Sequence, residues 1–236
     1  MHGLVLAGGE GSRLAAEGVP TPKALLEVAG RPLVVSLLRT LERLGCESLT
    51  CMVRADFPAV VETLKAARFK PPFILKTCST PSSAHTLVQG LQATPAGPVF
   101  CSMVDTVMRP RDWEAAYAAT AAGLAAGADA VLVVTPFIHD ESPLYVARDR
   151  EGLARSLGST PGIEPRVSGG VYGFGPSARQ AAHDALADGV QRMRGFLQRL
   201  IADGARVATV EVPQIIDLDR RSDWDLANTW MASLDG

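Results

Sequence analysis

The sequence predicts an α/β fold, with one mostly parallel mixed sheet flanked by helices on both faces. Three observations predict it. Short apolar runs of strand length alternate with segments of helical periodicity along the whole chain. The helical stretches are long enough for the crossovers that parallel strands require. The composition, 47% apolar and 20% charged over 236 residues, is that of a globular chain with room for a sizeable core.

Each element follows from its local pattern. Residues 3–7 form a short apolar run that ends in glycines, a buried first strand. Residues 33–44 carry apolar side chains at helical spacing and stop at Gly45. Residues 49–53 predict a second strand, 59–67 a helix, 73–77 a third strand and 84–91 a helix. Residues 99–104 predict a fourth buried strand that ends on Asp105. An Ala-rich helix over 112–126 and a fifth strand over 130–135 follow. Strands are expected over 145–148 and 167–174, separated by a stretch rich in Gly and Pro. Helices over 177–187 and 190–203, a strand over 207–212 and a helix over 224–233 complete the chain. Without repeats or linker-length low-complexity segments, residues 1–236 are expected to form a single domain.

Charge and composition exclude several classes. The net charge of -2 gives no bulk drive toward nucleic acid or anionic membrane. No apolar run reaches the roughly 18 residues needed to span a bilayer. Met1-His2-Gly3-Leu4-Val5 lacks the basic and long apolar regions of a secretory leader. Cys46, Cys51, Cys78 and Cys101 form no C-x-x-C pair, and two lie inside strand-like runs, which predicts reduced, mostly buried thiols in a cytoplasmic protein. The cations are skewed: of 23 Lys and Arg only Lys23, Lys65, Lys70 and Lys76 are lysines, so Lys23 stands alone in the first 64 residues.

In a sheet of this kind ligands sit beyond the carboxyl ends of the strands. The loop after the first strand is Leu6-Ala7-Gly8-Gly9-Glu10-Gly11-Ser12-Arg13-Leu14. Its glycines allow a tight turn and close approach of backbone to a ligand. Free N–H groups in such a turn form an anion-binding concavity, and the Arg13 guanidinium suits phosphate oxygens. The dinucleotide fingerprint fails because its third small position is Leu14, and the Walker pattern fails because no lysine follows the glycines directly. Pro22-Lys23-Ala24-Leu25-Leu26 and Gly30-Arg31-Pro32-Leu33 come next, and the proline helps aim Lys23. A lone lysine is ordinarily a solvated surface charge, but its pairing with the glycine loop favours a phosphate-binding cation.

Together these two segments, Leu6 to Leu33, resemble the nucleotidyltransferases that activate sugar 1-phosphates and the cytidylyltransferases for choline phosphate and similar alcohol phosphates. The resemblance continues more faintly through Asp105, Gly169-Gly170 and Asp217-Asp219. It implies a Rossmann-like sheet of the nucleotide-diphospho-sugar transferase type. Residues 1–135 would then be the nucleotide-binding half, and 136–236 the acceptor-binding half with the last metal ligand. Leu6, Ala7, Gly8, Gly9, Gly11, Ser12, Arg13 and Lys23 would hold a nucleoside triphosphate, with Arg13 and Lys23 also acting on the leaving pyrophosphate.

The acidic positions gain meaning from the same resemblance. Asp105 closes an apolar strand, where a carboxylate faces the ligand crevice and can hold Mg²⁺ or, equally, cap the next element. The family places a metal-binding Asp here, usually after a glycine. Val104 takes that place in this chain and is expected to narrow the pocket. Ile216-Asp217-Leu218-Asp219 resembles the family's second metal element. Alternation along an extended segment puts Asp217 and Asp219 on one side, and Asp219 ranks first by its spacing to Asp223. Asp223 and Asp225 are expected to be first-turn helix charges.

On the acceptor side, Val167-Ser168-Gly169-Gly170-Val171-Tyr172-Gly173-Phe174 resembles the family's glycine-containing acceptor strand, whose glycines could equally serve packing. The usual acceptor-phosphate lysine is absent, since no lysine follows residue 76. Arg155, Arg166, Arg192 and Arg194 are the candidates to replace it, with Arg194 assigned to the acceptor site. Ser82 and Ser83 are expected to cap a helix and to face the base. His85 is expected to be a helix-surface or packed histidine rather than a catalytic base, and the three tryptophans, Trp113, Trp224 and Trp230, are expected to pack. The resemblance implies magnesium-dependent transfer of a nucleotide to a sugar 1-phosphate or similar phosphorylated alcohol, with release of pyrophosphate and no nucleic acid or membrane partner. A pterin-type acceptor, or a catalytically silent nucleotide sensor, is the alternative.

Overall fold

The computed structural model describes residues 1–233. The first half contains β1 (His2–Ala7), α1 (Ser12–Ala16), a 3₁₀ turn at Lys23–Leu25, β2 (Glu27–Val28), β3 (Arg31–Pro32), α2 (Leu33–Arg43), β4 (Leu49–Arg54), α3 (Pro58–Ala66), β5 (Phe73–Cys78), α4 (Ser83–Ala93), β6 (Val99–Met103), β7 (Thr106–Val107), α5 (Pro110–Ala125) and β8 (Ala130–Thr135). The second contains β9 (Tyr145–Arg148), β10 (Ala154–Gly158), β11 (Val167–Phe174), α6 (Pro176–Ala187), α7 (Met193–Ala202), β12 (Val207–Glu211), β13 (Ile216–Asp217) and α8 (Arg221–Ala232).

One nine-stranded sheet runs through both halves in the order β10-β9-β11-β6-β1-β4-β5, with β8 on β11 and β12 on β8. The strands β6, β1, β4 and β5 are parallel, and β11 joins them antiparallel to β6. Side-chain alternation divides the core between the two faces. From β1, Leu4 and Leu6 pack with Leu87 and Leu91 of α4 and Phe196 and Leu200 of α7. Val5 and Ala7 pack on the other face with Leu37 and Leu41 of α2, Val60 and Leu64 of α3, and Trp113 of α5. All four cysteines are buried and free.

A third, smaller apolar cluster holds the ligand side together. Leu14 of α1, Leu26, Val28, Val107 of β7, Ile216 of β13, Leu218 and Ala227 of α8 meet there. The Trp224 indole N–H donates to the Glu27 carbonyl at 2.7 Å, and the Asn228 side chain bridges Glu27 and Ala29. The last helix thereby clamps the segment that follows Lys23.

Several expectations shift. The strand β10 falls in the stretch expected to be irregular. Its pairing with β9 slips between Ala154 and Ser156, so Arg155 and Ser156 are both exposed and alternation fails. The helix expected from residue 190 starts at Met193, because Val190 still closes the turn after α6 by donating to Ala185. The last helix starts at Arg221, three residues early, where Asp223 Oδ2 accepts the Arg220 N–H at 2.7 Å. Val104 does not narrow the ligand crevice, because its side chain is 4% exposed within the apolar cluster of Ala7, Ala24 and Met108.

β11 carries its glycines for room. A Cβ on Gly173 would lie 2.3 Å from Thr120 Cγ2 of α5. Gly173→Ala is therefore expected to cost about 1–3 kcal/mol through overpacking. It would lower the urea midpoint without changing the slope. An unchanged midpoint would refute that close fit.

Candidate active site

The parallel strands deliver their carboxyl ends, and the loops that follow them, to one crevice. In the loop after β1, Gly11 has φ +64°, a conformation that favours glycine, and it opens α1. A Cβ on Gly8 would come within 3.1 Å of Thr86 of α4, so glycine permits that close approach. The N–H groups of Gly9, Glu10, Gly11 and Ser12 donate to no acceptor among the described residues. Leu6 and Ala7 are buried in β1, whereas Ser12 is exposed on α1.

The short ladder of β7 with β13 brings the distant acidic segment to Asp105. Thr106 pairs with Asp217 and Val107 with Ile216, while Leu218 N–H donates to the Asp105 carbonyl at 3.1 Å. The expected alternation along an extended segment is replaced by a tight turn, in which Asp219 N–H donates to the Asp217 carbonyl at 3.1 Å. Oxygens of Asp105, Asp217 and Asp219 lie within 4.8 Å of one another. Such an all-oxygen donor set suits a hard divalent cation. The residues therefore fit the metal that the sequence implies.

Lys23 lies against this cluster. Its Nζ is 2.8 Å from Asp105 Oδ2 and 2.5 Å from Asp219 Oδ1. Arg13 pairs with the other oxygen of Asp219. The Lys23 side chain is only 8% exposed, so this is not an ordinary surface ion pair. Burial opposes its charge, yet Asp105, Asp217 and Asp219 outweigh burial and push its pKa above the ordinary lysine value. Burial would also raise Asp219, but Lys23 and Arg13 hold it below the usual carboxylate range. Asp217 goes the other way. It keeps solvent contact at the rim, yet the protein crowded around its carboxyl and the negative charge of Asp105 raise its pKa well above normal, which Lys23 only partly offsets.

A small cavity beside Asp217 is lined by Phe137, His139, Asp140, Ser168 and Gly169. Gly169 and Gly170 sit at a bulge of β11 and are tightly packed. A Cβ on Gly169 would meet the end of Ile215 at 2.0 Å, and one on Gly170, at φ +74°, would meet Thr106 Oγ1 at 2.7 Å. A larger cavity of about 600 Å³ lies between α2 and α5, and no site residue lines it.

The remaining candidates fall as follows. Ser82 caps α4, accepting the His85 N–H at 3.4 Å and lying 2.8 Å from His85 Nδ1. Ser83 Oγ does not cap the helix but accepts the Met193 N–H at 3.0 Å, which joins the start of α7 to the start of α4. Arg194 donates to the Ser142 carbonyl at 3.1 Å, while Arg155 pairs with Asp149 and Arg166 with Glu211. Sequence reasoning did not single out Arg220 or His139, and it read Asp223 as a mere helix charge. Asp223 Oδ2 accepts the Asp219 N–H at 3.1 Å, and its other oxygen lies 3.3 Å from His139 Nε2. An acidic residue three positions after a helix cap was the available signal for Asp223.

The sequence pattern of MobA-like NTP transferase domains matches residues 3–167. The chain belongs to that family. Among curated relatives of this chain, bifunctional protein GlmU of Kineococcus radiotolerans is 30% identical over 184 residues, covering 74% of this chain and 36% of that protein. The bifunctional IPC transferase and DIPP synthase of Aquifex aeolicus is 38% identical over 72 residues, covering 30% of this chain and 17% of that protein. The chain thus spans well under half of either relative. The fold is shared with the inositol-1-phosphate CTP transferase from T. maritima, at TM-score 0.77 and 16% identity over 96% of this chain and 94% of that one. It is shared too with a structure described as a glucose-1-phosphate thymidylyltransferase from Bacillus anthracis, at TM-score 0.81 and 15% identity over 98% and 94%. Among the described residues no helix is long and apolar enough to cross a membrane.

The raised pKa of Asp217 has a thermodynamic consequence. The folded protein binds that proton more tightly than the unfolded chain, so ionising Asp217 as pH rises costs stability. Asp217→Asn is expected to raise the melting temperature of the metal-free protein at about pH 8, with the gain fading toward about pH 4, where the carboxyl is already protonated in the folded protein. A gain that stays the same down to pH 4, or a loss at pH 8, would contradict the assigned electrostatics.

Proposed function

We propose that this chain transfers a nucleotide from a nucleoside triphosphate to a sugar 1-phosphate or similar phosphorylated alcohol. The observation that carries the reading is the convergence of Asp105, Asp217 and Asp219 with Arg13 and Lys23 beside a glycine loop with free N–H groups. A phosphate oxygen of the acceptor attacks the α-phosphorus, a new P–O bond forms, and the bond to the β-phosphate breaks with release of pyrophosphate. No side-chain nucleophile is required, and the protein positions the reactants and stabilises charge.

Leu6 to Ser12 would line the triphosphate, with the N–H groups of Gly9, Gly11 and Ser12 toward its oxygens. Asp105, Asp217 and Asp219 would hold Mg²⁺, which neutralises charge on the phosphates when bound. Arg13 and Lys23, beside the same cluster, would bind the polyphosphate and stabilise the leaving pyrophosphate. Ser82 and Ser83 stand at the base end, and Gly169, Gly170 and Arg194 on the acceptor side. Residues 1–236 would act as one domain, the nucleotide in 1–135 and the acceptor in 136–236. The sugar- and inositol-phosphate enzymes among its structural neighbours support this acceptor class. Retention of all five charged side chains favours an active enzyme over a silent sensor.

Pyrophosphate release measured with each nucleoside triphosphate, magnesium and a panel of phosphorylated sugars and alcohols tests the reading. Release with one pair is expected, and chelation of the metal should abolish it. Triphosphate binding without release for any acceptor would overturn it. Lys23→Ala is expected to cut turnover at least about 100-fold, roughly 2.7 kcal/mol of transition-state stabilisation. Near-normal turnover in that variant would remove Lys23 from the mechanism.

A further inference from the structure

Arg220 joins three elements that lie far apart in the chain. Its Nη1 donates to Glu17 Oε1 at 2.7 Å and its Nη2 to Glu141 Oε2 at 2.6 Å, across 203 and 79 positions of sequence. Glu17 ends α1, the short helix that the glycine loop opens, and its other oxygen accepts the Arg221 N–H at 2.8 Å. Glu141 belongs to the loop of residues 136–144, which also supplies Phe137, His139 and Asp140 to the cavity beside Asp217. The same loop is held at His139 by Asp223 and at Ser142 by Arg194. One planar guanidinium, directly after Asp219, therefore connects the end of α1, the helix that follows the glycine loop, to the 136–144 loop beside the Asp217 cavity.

We infer that Arg220 is a positioning residue that couples the two halves of the site, so that filling the glycine loop holds the 136–144 loop closed. The inference rests on the proposed binding of the triphosphate in the glycine loop. The contacts are of the right strength for a movable link. Arg220 is 38% exposed and Glu141 60%, so that pair contributes little to global stability, while Glu17 is 29% exposed. The fork geometry is what lets one side chain hold two carboxylates at once, which a lysine ammonium matches poorly. The 2.7 Å contact with Glu17 gives it a geometric path rather than mere proximity. Coupling of this kind is reciprocal: a tighter acceptor loop also favours the donor.

Hydrogen exchange of the full-length protein tests this without any turnover. ATP, CTP, GTP and UTP are each added with magnesium, and exchange is followed in residues 8–16 and 137–144. The triphosphate that protects residues 8–16 is expected to slow exchange in 137–144 at least about fivefold, the lower end of typical coupling factors. In Arg220→Ala and in Glu141→Gln, protection of 8–16 should remain while that of 137–144 is lost. Arg220→Lys should lose most of it. Protection confined to residues 8–16 in the wild type, or distal protection that survives in Arg220→Ala and Glu141→Gln, overturns the coupling and leaves the donor site standing. If no triphosphate protects residues 8–16, the donor-site reading fails and the coupling falls with it.

Discussion

The buried ammonium of Lys23, held between Asp105 and Asp219, is the contact on which the rest of the site depends. Three carboxylates cannot share so small a volume without a counter-charge. Lys23 and Arg13 supply it, and the cost of the arrangement shows in Asp217, whose carboxyl resists ionisation. The protein thus keeps an acidic cluster that is expensive in isolation, as sites built to receive a cation often are. The same pairings engage both candidate phosphate ligands, Arg13 and Lys23.

Placing that ammonium is the work of the small third cluster. Leu14, Leu26, Val28, Val107, Ile216, Leu218 and Ala227 form an apolar floor distinct from the two large clusters on the faces of the sheet. Every element bearing a charged site residue contributes to it or adjoins it. The β7–β13 pairing sets the distance between Asp105 and the second acidic segment, and α8 presses on the chain after Lys23. The charged residues stand on a packed floor and a two-stranded ladder as well as on loops, a support that favours precise placement.

The β11 side of the crevice is built on a different principle. β11 turns antiparallel to β6, and its bulge at Gly169-Gly170 lets Ile215 and Thr106 approach the backbone closely. Packing therefore accounts for these glycines whatever ligand they face. The cations there are committed to partners within the protein: Arg155 to Asp149, Arg166 to Glu211 and Arg194 to the 136–144 loop. That loop is in turn tied to α7 through Arg194 and to the start of α8 through Arg220 and Asp223.

Much of this was legible in the residues themselves. The apolar runs gave most of the strands and helices, since burial on a sheet or helix face imposes periods that survive in sequence. Gly8 to Arg13, Lys23, Asp105 and the 217–219 segment stood out because each lies in a local pattern. Strand β10 did not, because its bulge breaks the alternation at Arg155 and Ser156. The partner of Ser83, 110 positions away, and the double bridge of Arg220 were decided only by the tertiary structure. So was the approach of both Asp217 and Asp219 to Asp105, which the tight turn brings about. The reason is physical. Periodicity records which face of an element is buried, but an ion pair between distant segments needs only two charges that the fold brings together, and it leaves no pattern along the chain.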